Sequence, residues 1–124
     1  MLTTGQPATA GTSGAITWLG TLGGALGAAT IAAISGAAGV AAAGAGWILA
    51  AGVAGMFADS LLGATLQVRA RCDVCGGTVE SRRHCDHATT PTRGLRWMTN
   101  DTVNVIGSGI GAVIALLATL VCTR

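Results

Sequence analysis

The chain has 124 residues, 51% hydrophobic and only 10% charged, with a formal net charge of +2. Soluble domains carry roughly 25% charged residues, so this balance excludes an ordinary water-soluble domain. Ala and Gly supply much of the apolar count. In water they bury little area per residue, whereas in a bilayer they let helix backbones approach closely, so residues 1–124 read as a single membrane domain.

Residues 1–13 are small and polar and read as an exposed or interfacial N-terminal loop. They lack the basic n-region of a signal peptide. The first apolar segment, residues 14–35, is uncharged; at about 1.5 Å per residue it spans roughly 30 Å, the thickness of a hydrocarbon core. Gly20/Gly24 and Gly23/Gly27 are G-x-x-x-G pairs that predict a close helix contact. Residues 35–39, rich in Gly and Ala, are the expected turn. The second segment, residues 38–67, is long for one span and is expected to tilt or kink.

No Lys, Arg, Asp or Glu precedes Asp59, which falls in the last third of that segment. A carboxylate at membrane depth costs about 2.5–3.5 kcal/mol and therefore usually faces a partner, an ion or a wet cavity. The polar stretch of residues 68–100 follows, holding Arg69, Arg71, Arg82, Arg83, Arg93 and Arg96, six of the seven basic residues. The positive-inside rule makes it a cytoplasmic loop, a better account of the arginines than nucleic-acid binding. The third apolar segment, residues 101–122, carries a further close-packing pair, Gly107/Gly111. Three spans then put the N-terminal loop, Asp59 and the Arg loop on the cytoplasmic side and the C-terminus outside. Trp18, Trp47 and Trp97 suit membrane interfaces. The expected fold is thus all-α, a polytopic membrane protein with a Cys- and Arg-rich loop.

Within the loop, Cys72-x-x-Cys75 followed by His84-Cys85-Asp86-His87 has the spacing of a small zinc knuckle. Cys72, Cys75, Cys85 and either His84 or His87 complete a tetrahedral set. Gly76 and Gly77 suit a tight turn, and ordering the loop is the expected role, with unmetallated thiols as the alternative. Asp59-Ser60 is a second candidate site. Asn100-Asp101-x-x-Asn104 is a third: Asn100 or Asp101 can cap the third helix, but capping leaves Asn104, one turn further in, unexplained. Gly11-Thr12-Ser13-Gly14 opens the first span; its plainer reading is an N-cap, its functional one a phosphate contact through backbone N–H groups. Acids and Asn hold magnesium through oxygen, arginines such as Arg96 hold phosphate, and a groove between Gly-rich helices admits a hydrocarbon chain. Together these suit phosphoryl transfer to a lipid acceptor, with Thr12, Ser13, Ser60 and Arg96 as substrate-binding candidates.

The ordered set Pro7-Ala8-Thr9-Ala10-Gly11-Thr12-Ser13-Gly14, Gly55-Met56-Phe57-Ala58-Asp59-Ser60-Leu61-Leu62-Gly63-Ala64-Thr65-Leu66-Gln67, Cys72-x-x-Cys75-Gly76, His84-Cys85 and Gly94-Leu95-Arg96-Trp97-Met98-Thr99-Asn100-Asp101-x-x-Asn104 resembles the integral membrane family that includes transmembrane protein 19 and plant phytyl-phosphate kinase, the domain-of-unknown-function 92 family. The resemblance covers essentially the whole chain. It implies a membrane-embedded enzyme that transfers phosphoryl from a nucleoside triphosphate to a polyprenyl-type monophosphate, with Asp59, Asp101 and Asn104 as catalytic candidates. Family members are about twice this length, with further spans upstream. The resemblance is therefore to a C-terminal half, which other helices would complete. The alternatives are a non-catalytic membrane subunit or transport component with a structural zinc knuckle, and a metal- or redox-sensing module.

Overall fold

The computed structural model describes residues 1, 3, 5–7, 12–39 and 44–122. Gly11 of the opening Gly-Thr-Ser-Gly motif and residues 40–43 at the start of the second apolar segment lie outside them. Three helices are long and apolar enough to cross a membrane: α1 (Trp18–Ala37), α2 (Ala45–Thr65) and α3 (Asn100–Cys122). In hydrocarbon every backbone polar group must be satisfied within the segment, so these Gly-rich stretches become helical despite their weak intrinsic propensity.

The helix ends are set by local chemistry. The Thr17 hydroxyl accepts from Gly20 N–H at 3.0 Å and caps α1. Gly39, at φ +69°, turns the chain after it. At the start of α3 the cap oxygen belongs to Thr99, whose hydroxyl lies 3.4 Å from Thr102 N, while Asn100 and Asp101 are already helical. Asp101 in that first turn complements the helix dipole.

The central helix is α2, which packs against both α1 and α3. The α2–α3 seam is built from small residues. A Cβ on Gly55 would lie 2.9 Å from Gly107 O, and one on Gly111 would lie 3.0 Å from Ala51 O. On α1, Gly24 faces Met56 of α2, whereas Gly23 and Gly27 have nothing within 4 Å of where a side chain would start. Leu19, Leu22, Leu26, Val113, Leu117 and Val121 remain exposed, forming the outer apolar faces of the bundle.

Between α2 and α3 the chain forms a small β subdomain where the sequence suggested only a loop. Its strands are β1 (Arg69–Arg71), β2 (Thr78–Val79), β3 (Arg83–His84), β4 (His87–Ala88) and β5 (Thr90–Arg93). One antiparallel sheet has the order β2-β1-β5, and β3-β4 form a separate hairpin. The core beneath the sheet is Gln67, Val68, Ala70, Cys72 and Met98. Backbone bonds from Val68 N to Met98 O (2.9 Å) and from Leu95 N to Leu66 O (3.0 Å) fasten the subdomain to the end of α2. Arg93 donates to Ala64 O at 2.5 Å and so satisfies a carbonyl that the helix end leaves open.

Trp18 begins α1 and Trp97 precedes α3, so both exposed rings lie at the end of the bundle that carries the β subdomain; Trp47, near the start of α2, lies at the other. This is the arrangement of aromatic residues at two interfaces.

Candidate functional site

Because α1 and α3 flank α2, an open groove of about 650 Å³ runs along the bundle, with Gly24, Ala28, Gly52, Met56, Gly107 and Gly111 among its lining. Its walls are nearly all small or apolar. The polar exceptions are Asp59, Asn104 and Ser108. At the end facing the β subdomain lies a second, more polar cavity of about 1010 Å³, whose lining includes Thr12, Ser13, Asp59, Ser60, Gln67 and Asn100. Asp59 lines both, and so stands where the apolar groove meets the polar mouth.

The backbone of α3 approaches closely at this acid: a Cβ on Gly107 would lie 2.8 Å from Asp59 Cβ. Among the described residues, Asp59 Oδ1 is the one buried side-chain oxygen or nitrogen without a hydrogen-bond partner. An anionic acceptor left unpaired in an apolar place is costly, and a cation or a donor entering from either cavity relieves that cost.

The candidate residues divide by position. Asp59 and Asn104 share the groove; Asp59, Ser60, Thr12 and Ser13 share the mouth. Asp101 is exposed and lines neither cavity. Arg96 is also exposed and lines a third cavity, of about 320 Å³, with Glu80 and Arg82. Ser13 does not cap α1. Its N–H and hydroxyl both donate to Glu80, at 3.2 and 2.7 Å, and its carbonyl accepts from Arg69 at 2.8 Å. Gln67 Nε2 also donates to Glu80, at 2.8 Å. The sequence reading gave no role to Glu80 or Gln67. The only available signal was that Glu80 is the sole Glu of the chain.

The cysteine motif forms a second centre. Gly76, at φ +72°, closes a turn in which Gly76 N–H donates to Cys72 O (2.8 Å) and Cys72 N–H to Gly77 O (2.9 Å). Across from it the β3–β4 hairpin turns at Cys85 and Asp86, both with positive φ, at +50° and +60°. One thiol atom each from Cys72, Cys75 and Cys85 and a ring nitrogen of His84 all lie within 4.8 Å of one another. Cys75 Sγ is 3.5 Å and Cys85 Sγ 3.2 Å from His84 Nδ1. His87 is not part of the set; its Nδ1 lies 2.8 Å from Cys85 O. All four cysteines of the chain are free thiols. The backbone N–H of Cys75, then His84, stabilises the Cys72 thiolate and lowers its pKa to about 6. Desolvation and the neighbouring sulfurs push Cys85 up to about 11. The cluster can hold a metal ion, whose charge would favour the thiolate of every ligand.

A family profile described as integral membrane protein DUF92 matches residues 1–112. The chain belongs to the DUF92 family of integral membrane proteins. The match takes in α1, α2, the β subdomain and α3 as far as Ala112, and so includes the whole Cys/His cluster and the groove's lining except Ala115 at its far end. No curated protein and no solved structure matches this DUF92 chain. With three spanning helices, it is a multi-pass membrane protein.

Proposed function

We propose that this DUF92 chain forms one side of a membrane-embedded phosphoryl-transfer site, passing phosphate from a nucleoside triphosphate to a prenyl or related lipid phosphate. The carrying observation is the placement of Asp59. Its unpaired oxygen lies where an apolar groove opens into a polar mouth. A lipid phosphate has the same two-part character. Its chain suits the groove of small residues, and its head group suits the mouth, where Thr12 and Ser60 offer hydroxyls and Ser13, its own hydroxyl given to Glu80, forms part of the wall.

Asp59 repels a bare phosphate, so the reading requires a cation between them. Magnesium fits that role, since it takes one or two carboxylates and keeps water and phosphate oxygens as its other ligands. When bound it would neutralise charge developing on the transferred group, while Asp59 and Asn104 hold its position. The exposed Asp101 contributes charge to the start of α3 rather than a ligand. At the Cys/His cluster, three sulfurs and one nitrogen suit structural zinc.

Asp59→Asn is the direct test. Membranes containing the wild-type protein should show magnesium-dependent transfer of the terminal phosphate of a nucleoside triphosphate to a polyprenyl monophosphate, and the variant should lose it by about a hundredfold or more. Full activity in the variant removes Asp59 from the mechanism. Because Asp59 lines both cavities, a transport role is the second reading. Absence of transfer to any prenyl acceptor, together with Asp59-dependent solute movement in proteoliposomes, would establish it instead.

A further inference from the structure

We infer that a zinc ion held by Cys72, Cys75, His84 and Cys85 acts as a latch, fixing Glu80 so that it fastens the Ser13 segment over the mouth beside Asp59. The inference stands apart from the phosphoryl-transfer reading, because it concerns what holds the mouth's wall in place and not what enters it.

The donor set fits zinc by distance as well as by chemistry. Zinc–sulfur bonds of about 2.3 Å and zinc–nitrogen bonds of about 2.0–2.1 Å put tetrahedral sulfur–nitrogen edges at about 3.5 Å. Two of the three sulfur–nitrogen separations, those of Cys75 and Cys85 from His84 Nδ1, are 3.5 and 3.2 Å, and all four donor atoms lie within 4.8 Å of one another. Zinc sites of this kind also use a backbone turn to aim two cysteines at one point, as the Gly76 turn does here.

The latch follows from connectivity. Cys75 and His84 bracket residues 76–83, and Glu80 lies inside that bracket. Short local contacts hold the bracket otherwise: Cys72 N–H donates to Gly77 O, and Thr89 donates its N–H to Arg82 O and its hydroxyl to Ser81 O. β2 pairs with β1 through only Ala70↔Val79 and Arg71↔Thr78, and the β3–β4 hairpin is exposed along both strands. A two-stranded exposed hairpin is marginal in water, so closing the loop by metal removes much of its conformational freedom.

What the bracket carries is specific. Glu80 receives the N–H and hydroxyl of Ser13 and the amide of buried Gln67, and Arg69 takes the Ser13 carbonyl. Both hydrogen-bond donors of Ser13 are thus held by Glu80, in the segment that the metal closes, while its carbonyl is held by Arg69 on β1. The segment they fasten lies close on the end of α2: a Cβ on Gly63 would be 3.1 Å from Gly14 N and 3.5 Å from Ser13 Cβ. Gly14 itself has φ +76°, and a side chain there would enter the backbone of Ala64. The chain therefore lies backbone against backbone on the end of α2 at Gly14, with Glu80 and Arg69 fastening Ser13 beside it.

Two measurements on the purified full chain test this. Elemental analysis should find one zinc per chain. Hydrogen exchange should show the Ser13 amide protected in the zinc-loaded protein and exchanging about tenfold faster after chelation, with α2 and α3 unchanged. Glu80→Gln should keep the zinc yet show the same faster exchange at Ser13. Cys75→Ser should lose both; if that variant fails to fold, chelation of the wild type gives the same reading. Less than a fifth of a metal ion per chain, or a disulfide within the cluster, overturns the metal assignment. Unchanged Ser13 exchange on zinc removal overturns the latch.

Discussion

Asp59 and Gly107 meet at the α2–α3 crossing, with no room for a side chain between them: a Cβ on Gly107 would lie 2.8 Å from Asp59 Cβ and 3.2 Å from Asp59 Cα. The acid is consequently placed by the absence of atoms on its neighbour. Gly107→Val must push α3 away from α2 or move Asp59. It should destabilise the bundle by about 1–3 kcal/mol, as overpacking does. Thermal unfolding in detergent measures this. Gly109→Val is the control, since nothing lies within 4 Å of its side-chain position; equal losses in the two variants would remove the packing explanation.

Asn104 and Asp101 should separate under substitution. Asn104 lines the groove with Asp59, whereas Asp101 is exposed at the first turn of α3. Asn104→Ala should lower lipid-phosphate transfer at least about tenfold and leave the fold intact. Asp101→Asn should cost about 0.3–1 kcal/mol of stability through the lost dipole interaction and change transfer much less. The reverse ranking in a transfer assay would show that α3 presents Asp101, not Asn104, to the reacting groups.

The spans and the membrane class were legible because bilayer physics writes them in long uncharged runs. Asp59 was legible for the same reason, as a single charge where charge is expensive. Gly107/Gly111 was readable as a packing pair, but spacing alone did not distinguish it from Gly23/Gly27, which faces no neighbour within 4 Å. The β subdomain was not legible, since its strands are two to four residues long and rich in charge, with no alternation to detect. Nor was the Ser13–Glu80 bond, which joins residues 67 apart in sequence. The choice of His84 over His87 also needed the hairpin, whose turn at Cys85 and Asp86 brings one ring to the sulfurs and leaves the other against a carbonyl.

Arg93 should prove to be a structural arginine rather than a phosphate ligand. Its guanidinium donates to Ala64 O at the end of α2, and the next residue, Gly94 at φ +80°, lies against the backbone of Gln67. Arg93→Ala removes a charge-assisted bond to an open carbonyl and should cost about 1.5–3 kcal/mol. Arg82→Ala, on an exposed side of the subdomain, should cost less than about 0.5 kcal/mol. Thermal unfolding of the two variants gives the comparison, and equal stabilities would place Arg93 outside the structural framework.

Thiol labelling joins the side of the membrane to the metal in one experiment. The positive-inside rule, applied to the arginines of residues 68–100, predicts a cytoplasmic β subdomain. Cys75 and Cys85 are exposed, so without metal they should react readily once a reagent reaches them. Cys122, at the far end of α3, is exposed too and should lie on the outer side. In intact cells a membrane-impermeant maleimide should therefore modify Cys122 and spare Cys75 and Cys85. In permeabilised cells the two loop thiols should stay protected while zinc is present and become labelled after chelation. Mass spectrometry of the tryptic peptides reads each site separately. Labelling of Cys75 in intact cells would invert the topology. Full labelling in permeabilised cells before chelation would leave the topology standing and remove the metal from the loop.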